Sequence, residues 1–285
     1  MPPKAGAGAP GEISCRYGAS RATFRGPARD LSRPYVVFLG GSATYGKAVR
    51  RPYPDLVEQA IGLTCVNLAA PNAGPDFYLA DPGTLQIAAA AQAAVIQVPG
   101  AEGLSNPFYT VHNRRNDRFL AATPALRRLF PEVDFTDIHF TRHLLTVLSA
   151  TDPGRFAQVR KALAATWLSR MELVLDHLPS RRLLLWIGEQ APSGEMTNLN
   201  AATTPLFVDD GMLATLQDGV SDTLTAILQC EAPPDRTSPA TPSAREAVDR
   251  VDHAAIAALL VPRLGGLLSA RTAPPLVPRG SQALA

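Results

Sequence analysis

The chain has 285 residues, 46% of them hydrophobic, and 27 Lys+Arg against 25 Asp+Glu give a formal net charge of +2. Such a chain can bury a sizeable core as one α/β domain of roughly 250 residues with tails, and the near-balanced charge gives no electrostatic case for nucleic acid or an anionic membrane. No run reaches the length of a membrane span, no secretory signal is visible, and the three scattered cysteines (Cys15, Cys65, Cys230) form neither a disulfide framework nor a metal pattern, so the expectation is a soluble cytoplasmic protein without a cofactor.

Residues 1–11 are rich in Pro, Gly and Ala and are expected to be a disordered tail. A single domain is expected over 12–265, with a second tail over 266–285 that contains the tag-like string LVPRGS at Leu276–Ser281. Cys15 to Arg33 carries five arginines and reads as an arm on a sheet edge. Tyr35–Leu39 (YVVFL) is a continuous apolar run of the length of a buried parallel strand. Pro54–Ile61 follows as a helix stopped by Gly62, then Thr64–Leu68 as a second strand. Asp81 and Pro82 open a helix over 81–94, and Ala94–Val98 is a third strand closed by Pro99-Gly100. The polar insertion Ala101–Phe119 is too rich in His, Arg and Asn to read as core.

Helices are expected over Asp137–Leu148 and Arg155–Leu178, the second with one apolar face that includes Trp167 and Met171. Arg182–Ile187 is a fourth strand and Thr223–Leu228 a candidate fifth, with a short helix at Gly211–Gln217 between them. The last helix is expected over Ala244–Leu260, ending before Pro262. The rhythm of strand, helix and strand with short links predicts a three-layer α/β/α sandwich with a mostly parallel sheet of about five strands.

The turn after the first strand reads Gly40-Gly41-Ser42-Ala43-Thr44-Tyr45-Gly46. Ser42 then lies at the carboxyl end of a parallel strand, where ligands bind in open α/β sheets. The spacing G-x-S-x-T-x-G resembles the first block of the SGNH (GDSL-type) hydrolases, which implies a flavodoxin-like fold and Ser42 as nucleophile. In that resemblance the Ser42 N–H and a glycine N–H from the loop after the second strand hold the oxyanion, which makes Gly74 or Ala69 the donor, with Asn67 and Asn72 beside them. Gly41 stands where the family has aspartate. The third block, G-x-N-D, is Gly100-Ala101-Glu102-Gly103 here, so Asn106 is the substitute donor. The last block, D-x-x-H, corresponds to Asp249 and His253, spaced by four; His253 is either the base or a residue paired on its own helix.

Longer strings, FRGPARDLSRPYVVFLGGSATYG, NLAAPNAGPDFYLADP, SNPFYTVHNRRNDRFL and DFTDIHFTRHLL, resemble a bacterial family of unknown function whose N-terminal half is SGNH-like. The cluster His112, Arg114, Arg115 and Arg118 follows the third strand and is either an anion site, with Thr44 near it, or a structural network neutralised by Asp117. Two functions stay open. One is a serine hydrolase or acyltransferase for a polar, anionic or carbohydrate-like ester, with a small molecule or saccharide as partner. The other is a non-catalytic protein that binds an anionic ligand through the arginines.

Overall fold

In a computed structural model of the chain, residues 13–192, 205–228 and 251–270 are described. The expected tail over 1–11, residues 271–285 of the tail expected over 266–285, the Pro/Ser/Thr-rich stretch 231–243 and Asp249 lie outside them. Five strands, β3 (Tyr35–Leu39), β4 (Thr64–Asn67), β5 (Ala93–Gln97), β8 (Arg182–Gly188) and β9 (Asp222–Ile227), form one sheet in the order β4-β3-β5-β8-β9. Every pairing in it is parallel. By rank along the chain this is 2-1-3-4-5, the flavodoxin-like order. The chain winds from β3 outward to β4, then returns past β3 to β5, so the crevice at the carboxyl ends of β3 and β5 is the topological switch point.

Successive residues along β3 explain why that strand does not alternate in polarity. Val37 and Leu39 face one layer with Val66, Ala94, Ile96, Leu184 and Trp186. That layer is filled by α3 (Pro75–Leu79), α4 (Pro82–Ala89) and α7 (Pro153–Asp176) through Phe77, Leu85, Leu163 and Trp167. Val36 and Phe38 face the other layer with Cys65, Val95, Leu183 and Leu185. There α2 (Tyr53–Ile61) contributes Tyr53 and Val57, and the last helix, α9 (His253–Ser269), contributes Ile256, Leu260 and Leu264. A strand covered on both faces is apolar throughout, as β3 is. No helix among the described residues is long and apolar enough to cross a membrane.

Several elements differ from expectation. The helix expected over 81–94 ends at Ala89, because β5 starts at Ala93 and needs a turn before it. The helix expected over Asp137–Leu148 is α6 (Thr141–Thr151). The last helix passes through Pro262 and runs to Ser269, beyond the expected stop and past the expected tail boundary. Proline removes one backbone donor, but Leu264 beyond it is fully buried against the sheet, and that burial carries the helix on. The insertion after β5 is the largest correction. It holds a β-hairpin, β6 (Tyr109–His112) and β7 (Arg115–Ala122), whose Tyr109, Val111 and Phe119 are buried. A short hairpin, β1 (Ser14–Cys15) with β2 (Phe24–Arg25), forms in the arginine-rich arm, and two further short helices are α5 (Pro124–Leu129) and α8 (Asp210–Thr215).

Candidate functional site

Ser42 opens a single helical turn, α1 (Ser42–Tyr45), directly after β3. Gly40 is required there by packing. A Cβ at that position would stand 2.8 Å from both Cβ and Oε1 of Gln97 and would collide with Thr44 Oγ1. The turn closes at Gly46, which has φ 63, the left-handed conformation in which glycine is favoured.

Gln97, the last residue of β5, locks this turn. Its Oε1 accepts from Gly41 N at 3.1 Å, from Thr44 N at 3.2 Å and from Thr44 Oγ1 at 2.6 Å. Three donors on one atom identify it as the amide oxygen rather than the nitrogen. Around it, Tyr78 OH accepts from Gly40 N at 2.6 Å and donates to Gly40 O at 3.0 Å. Asn67 Nδ2 donates to Thr44 O at 2.9 Å, and Thr44 Oγ1 shares a 2.7 Å bond with Tyr53 OH. Burial pushes both tyrosine hydroxyls well above their ordinary range, so they remain neutral donors.

The Ser42 hydroxyl meets the loop after β4. It donates to Asn72 Oδ1 at 3.2 Å, and Asn72 N donates back to Ser42 Oγ at 3.2 Å. Asn72 has φ 57, a left-handed conformation that asparagine tolerates better than most side chains. So the half-buried serine touches an exposed asparagine held in the left-handed region beside it.

The other expected oxyanion donors are committed elsewhere. Gly41 N–H is taken by Gln97, Gly74 N–H by Asn116 Oδ1 at 2.7 Å, and Ala69 N–H by Asn67 Oδ1 at 3.1 Å. Asn106 is consumed by its own loop: its Nδ2 donates to Leu104 O, and its Oδ1 accepts from Phe108 N and Tyr109 N. Thr44 is fully buried in the network above and offers nothing to a ligand at the surface. Each of these groups satisfies a backbone need that a buried loop cannot leave open.

His253 is the first residue of α9 and is only 7% exposed. Its Nδ1 accepts from Tyr53 N at 3.1 Å, and its ring stacks on Tyr53 at 5.8 Å between centroids. A Cβ on Gly46 would lie 3.3 Å from His253 Cε1, so the ring packs beside the closing end of the turn that Ser42 opens. Desolvation, and then the nearby Arg25 charge, lower its pKa from 6.5 to about 4. Because Nδ1 accepts, the neutral ring carries its proton on Nε2. The carboxylate beside it is Asp252, whose Oδ1 caps α9 by accepting from Ala254 N and Ala255 N.

The arginine cluster is dispersed along the hairpin. His112 Nδ1 accepts from Arg114 N and Arg115 N and so shapes the hairpin tip, where all three residues are exposed. Arg118 lies over the Phe140 ring at 4.1 Å. The hairpin does border the Asn72 loop, because Asn116, 2% exposed, binds Gly74 N and donates to His112 O at 3.1 Å.

Sequence reasoning missed Gln97, Asn116 and Tyr78. Gln97 had a visible signal, being the one polar residue at the carboxyl end of an otherwise apolar strand, AAVIQ.

The chain belongs to the family described as Domain of unknown function (DUF6473), which matches residues 2–268. No curated protein matches it. Among solved structures it is similar to a family 2 carbohydrate esterase with a carbohydrate-binding domain from Corynascus thermopiles (Myceliophthora fergusii), at 13% identity and a TM-score of 0.42, covering 86% of this chain and 69% of that one. It is also similar to a lipase from a goat rumen metagenome, at 13% identity and a TM-score of 0.37, covering 80% of this chain and 98% of that one. A third is a family two carbohydrate esterase from Cellvibrio japonicus, at 14% identity and a TM-score of 0.36, covering 86% and 64%.

Proposed function

We propose that this DUF6473 protein is an SGNH-like serine hydrolase or acyltransferase for a polar ester, with Ser42 as nucleophile. The observation that carries the reading is the turn itself. A serine hydroxyl stands at the switch point of a 2-1-3-4-5 sheet, held by Asn72 on one side and by the Gln97 lock beneath. In the reaction, Ser42 Oγ bonds to the acyl carbon, its proton passes to a base, and the alcohol leaves; water or a second alcohol then takes the acyl group. The exposed Arg114 and Arg115 support a substrate that is anionic or rich in oxygen, such as an acylated saccharide. His253, with Asp249, is the base in this reading. That role requires an unprotonated Nε2, the tautomer opposite to the one that accepts from Tyr53 N.

This last point favours a second reading, a non-catalytic protein that binds an anionic ligand on the same scaffold. A fluorophosphonate probe separates the two. Covalent addition at Ser42 by intact mass, absent in Ser42→Ala, supports acyl transfer. An unmodified wild-type chain that still binds an anionic saccharide by calorimetry supports binding alone.

A further inference from the structure

The four donors Gly41 N–H, Gly74 N–H, Ala69 N–H and Asn106 Nδ2 are all spent on the protein. What remains at the turn depends on Gln97. A helical turn opens with backbone N–H groups that have no partner inside it. Here Gly41 precedes the turn, and no side chain within α1 caps it. The cap arrives instead from the neighbouring strand. Gln97 Oε1 takes the N–H of Gly41 and the N–H of Thr44, the same two positions that a local capping box would satisfy. Between them stand Ser42 and Ala43.

We infer that Gln97 is the positioning residue of the Ser42 site: by taking the N–H groups of Gly41 and Thr44 it fixes the turn with the N–H groups of Ser42 and Ala43 left over, and so orients the Ser42 N–H toward a bound carbonyl oxygen. Two features beyond the hydrogen bonds support this. Gln97 sits on β5, next to β3, so its side chain crosses the floor of the crevice at the switch point. It also packs directly against Gly40, where a Cβ would stand 2.8 Å from its Cβ and Oε1. The Thr44 hydroxyl, fixed in turn by Tyr53, holds the amide oxygen from below. The inference rests on the acyl-transfer reading for its chemistry, while the hydrogen bonds can be tested without it.

The experiment measures two things in wild type, Gln97→Met and Gln97→Glu. The first is amide hydrogen exchange at Gly41, Ser42 and Thr44 by NMR. The second is the rate at which a fluorophosphonate modifies Ser42, a step in which the Oγ–P bond forms, fluoride leaves and the hydroxyl proton goes to the base or solvent. Leu163→Ala, a core change on α7, serves as the control for lost stability.

Expected results are these. Gln97→Met loses protection at Gly41 and Thr44 by tenfold or more and labels at least tenfold more slowly, well below its melting temperature. Leu163→Ala labels at the wild-type rate. Gln97→Glu, which keeps the acceptor, restores protection at both amides. Labelling of Gln97→Met at the wild-type rate overturns the inference, as does unchanged protection at Gly41 and Thr44. A wild-type chain that never labels, but whose Gly41 and Thr44 protection depends on Gln97 as described, overturns the acyl-transfer reading and supports the assignment of Gln97 to the turn.

Discussion

His253 makes a prediction about acid stability that also bears on catalysis. The ring is neutral when folded, with its pKa lowered from 6.5 to about 4 by burial and by Arg25, against a smaller opposing pull from Asp252. Between these two values the unfolded chain binds a proton that the folded chain refuses. Stability therefore rises with pH across that window and is lost as pH falls through it. At pH 5 the unfolded ring is almost fully protonated and the folded ring is not. The difference is about one and a half decades of proton affinity, or ~2 kcal/mol.

The test compares wild type with His253→Asn by urea unfolding at pH 7.5 and pH 5.0. The asparagine Oδ1 can accept from Tyr53 N in place of Nδ1, so the variant should fold. Other titrating groups are common to both chains and cancel in the comparison. Wild type should lose ~2 kcal/mol more than the variant on going to pH 5.0. Equal losses refute the reasoning, and so does a His253 ring proton that titrates near 6.5 by NMR in the folded protein.

Other substitutions probe the same framework. Gly40→Ala forces a methyl against Gln97 and Thr44 and should cost ~1–3 kcal/mol by overpacking; an unchanged melting temperature would show the turn to be compliant. Asn116→Ala strands the Gly74 N–H and should cost about 1–3 kcal/mol in urea unfolding, with faster amide exchange in the Asn72 loop. Arg25→Met removes charge-assisted bonds to the carbonyls of Gly46, Val49 and Arg50; it should cost at least about 1.5 kcal/mol and raise the His253 pKa measured by NMR. The double change of exposed Arg114 and Arg115 to alanine should leave stability within about 0.5 kcal/mol and weaken binding of an anionic ester; a large drop in melting temperature would make the tip structural.

The sheet was legible because burial on both faces forces continuous apolar runs, and YVVFL and RLLLWI can hardly be anything else. The hairpin was not. The pairing of β6 with β7 shifts register between Thr110 and Val111 and again between Val111 and His112. In β7 the buried Asn116, Phe119 and Ala122 fall three apart, which breaks the two-residue alternation by which a half-buried strand is recognised. In β6 the alternation of Tyr109 and Val111 is intact but lasts only four residues beside the polar tip, too short to stand out. The last helix misled for the opposite reason. Proline is a strong local stop, and only the tertiary burial of Leu264 overrides it.

At the site, the line between legible and illegible follows sequence distance. Ser42 stands out because a strand, two glycines and a serine are contiguous. What decides the chemistry is not contiguous. Gly41 is joined to Gln97 across 56 residues, Gly74 to Asn116 across 42, and Tyr53 to His253 across 200. In each pair a backbone N–H in a loop needs an acceptor, and the fold supplies it from another element. A motif reading counts those N–H groups as free and the side chains as reactive. Pairing them removes both from the list at once: the Gly41 and Gly74 amides cease to be oxyanion donors, and His253 ceases to be an available base in its present tautomer. The Ser42–Asn72 contact is what survives this subtraction. In the proposed reading, a ligand at the switch point, cleaved or only held, meets that contact.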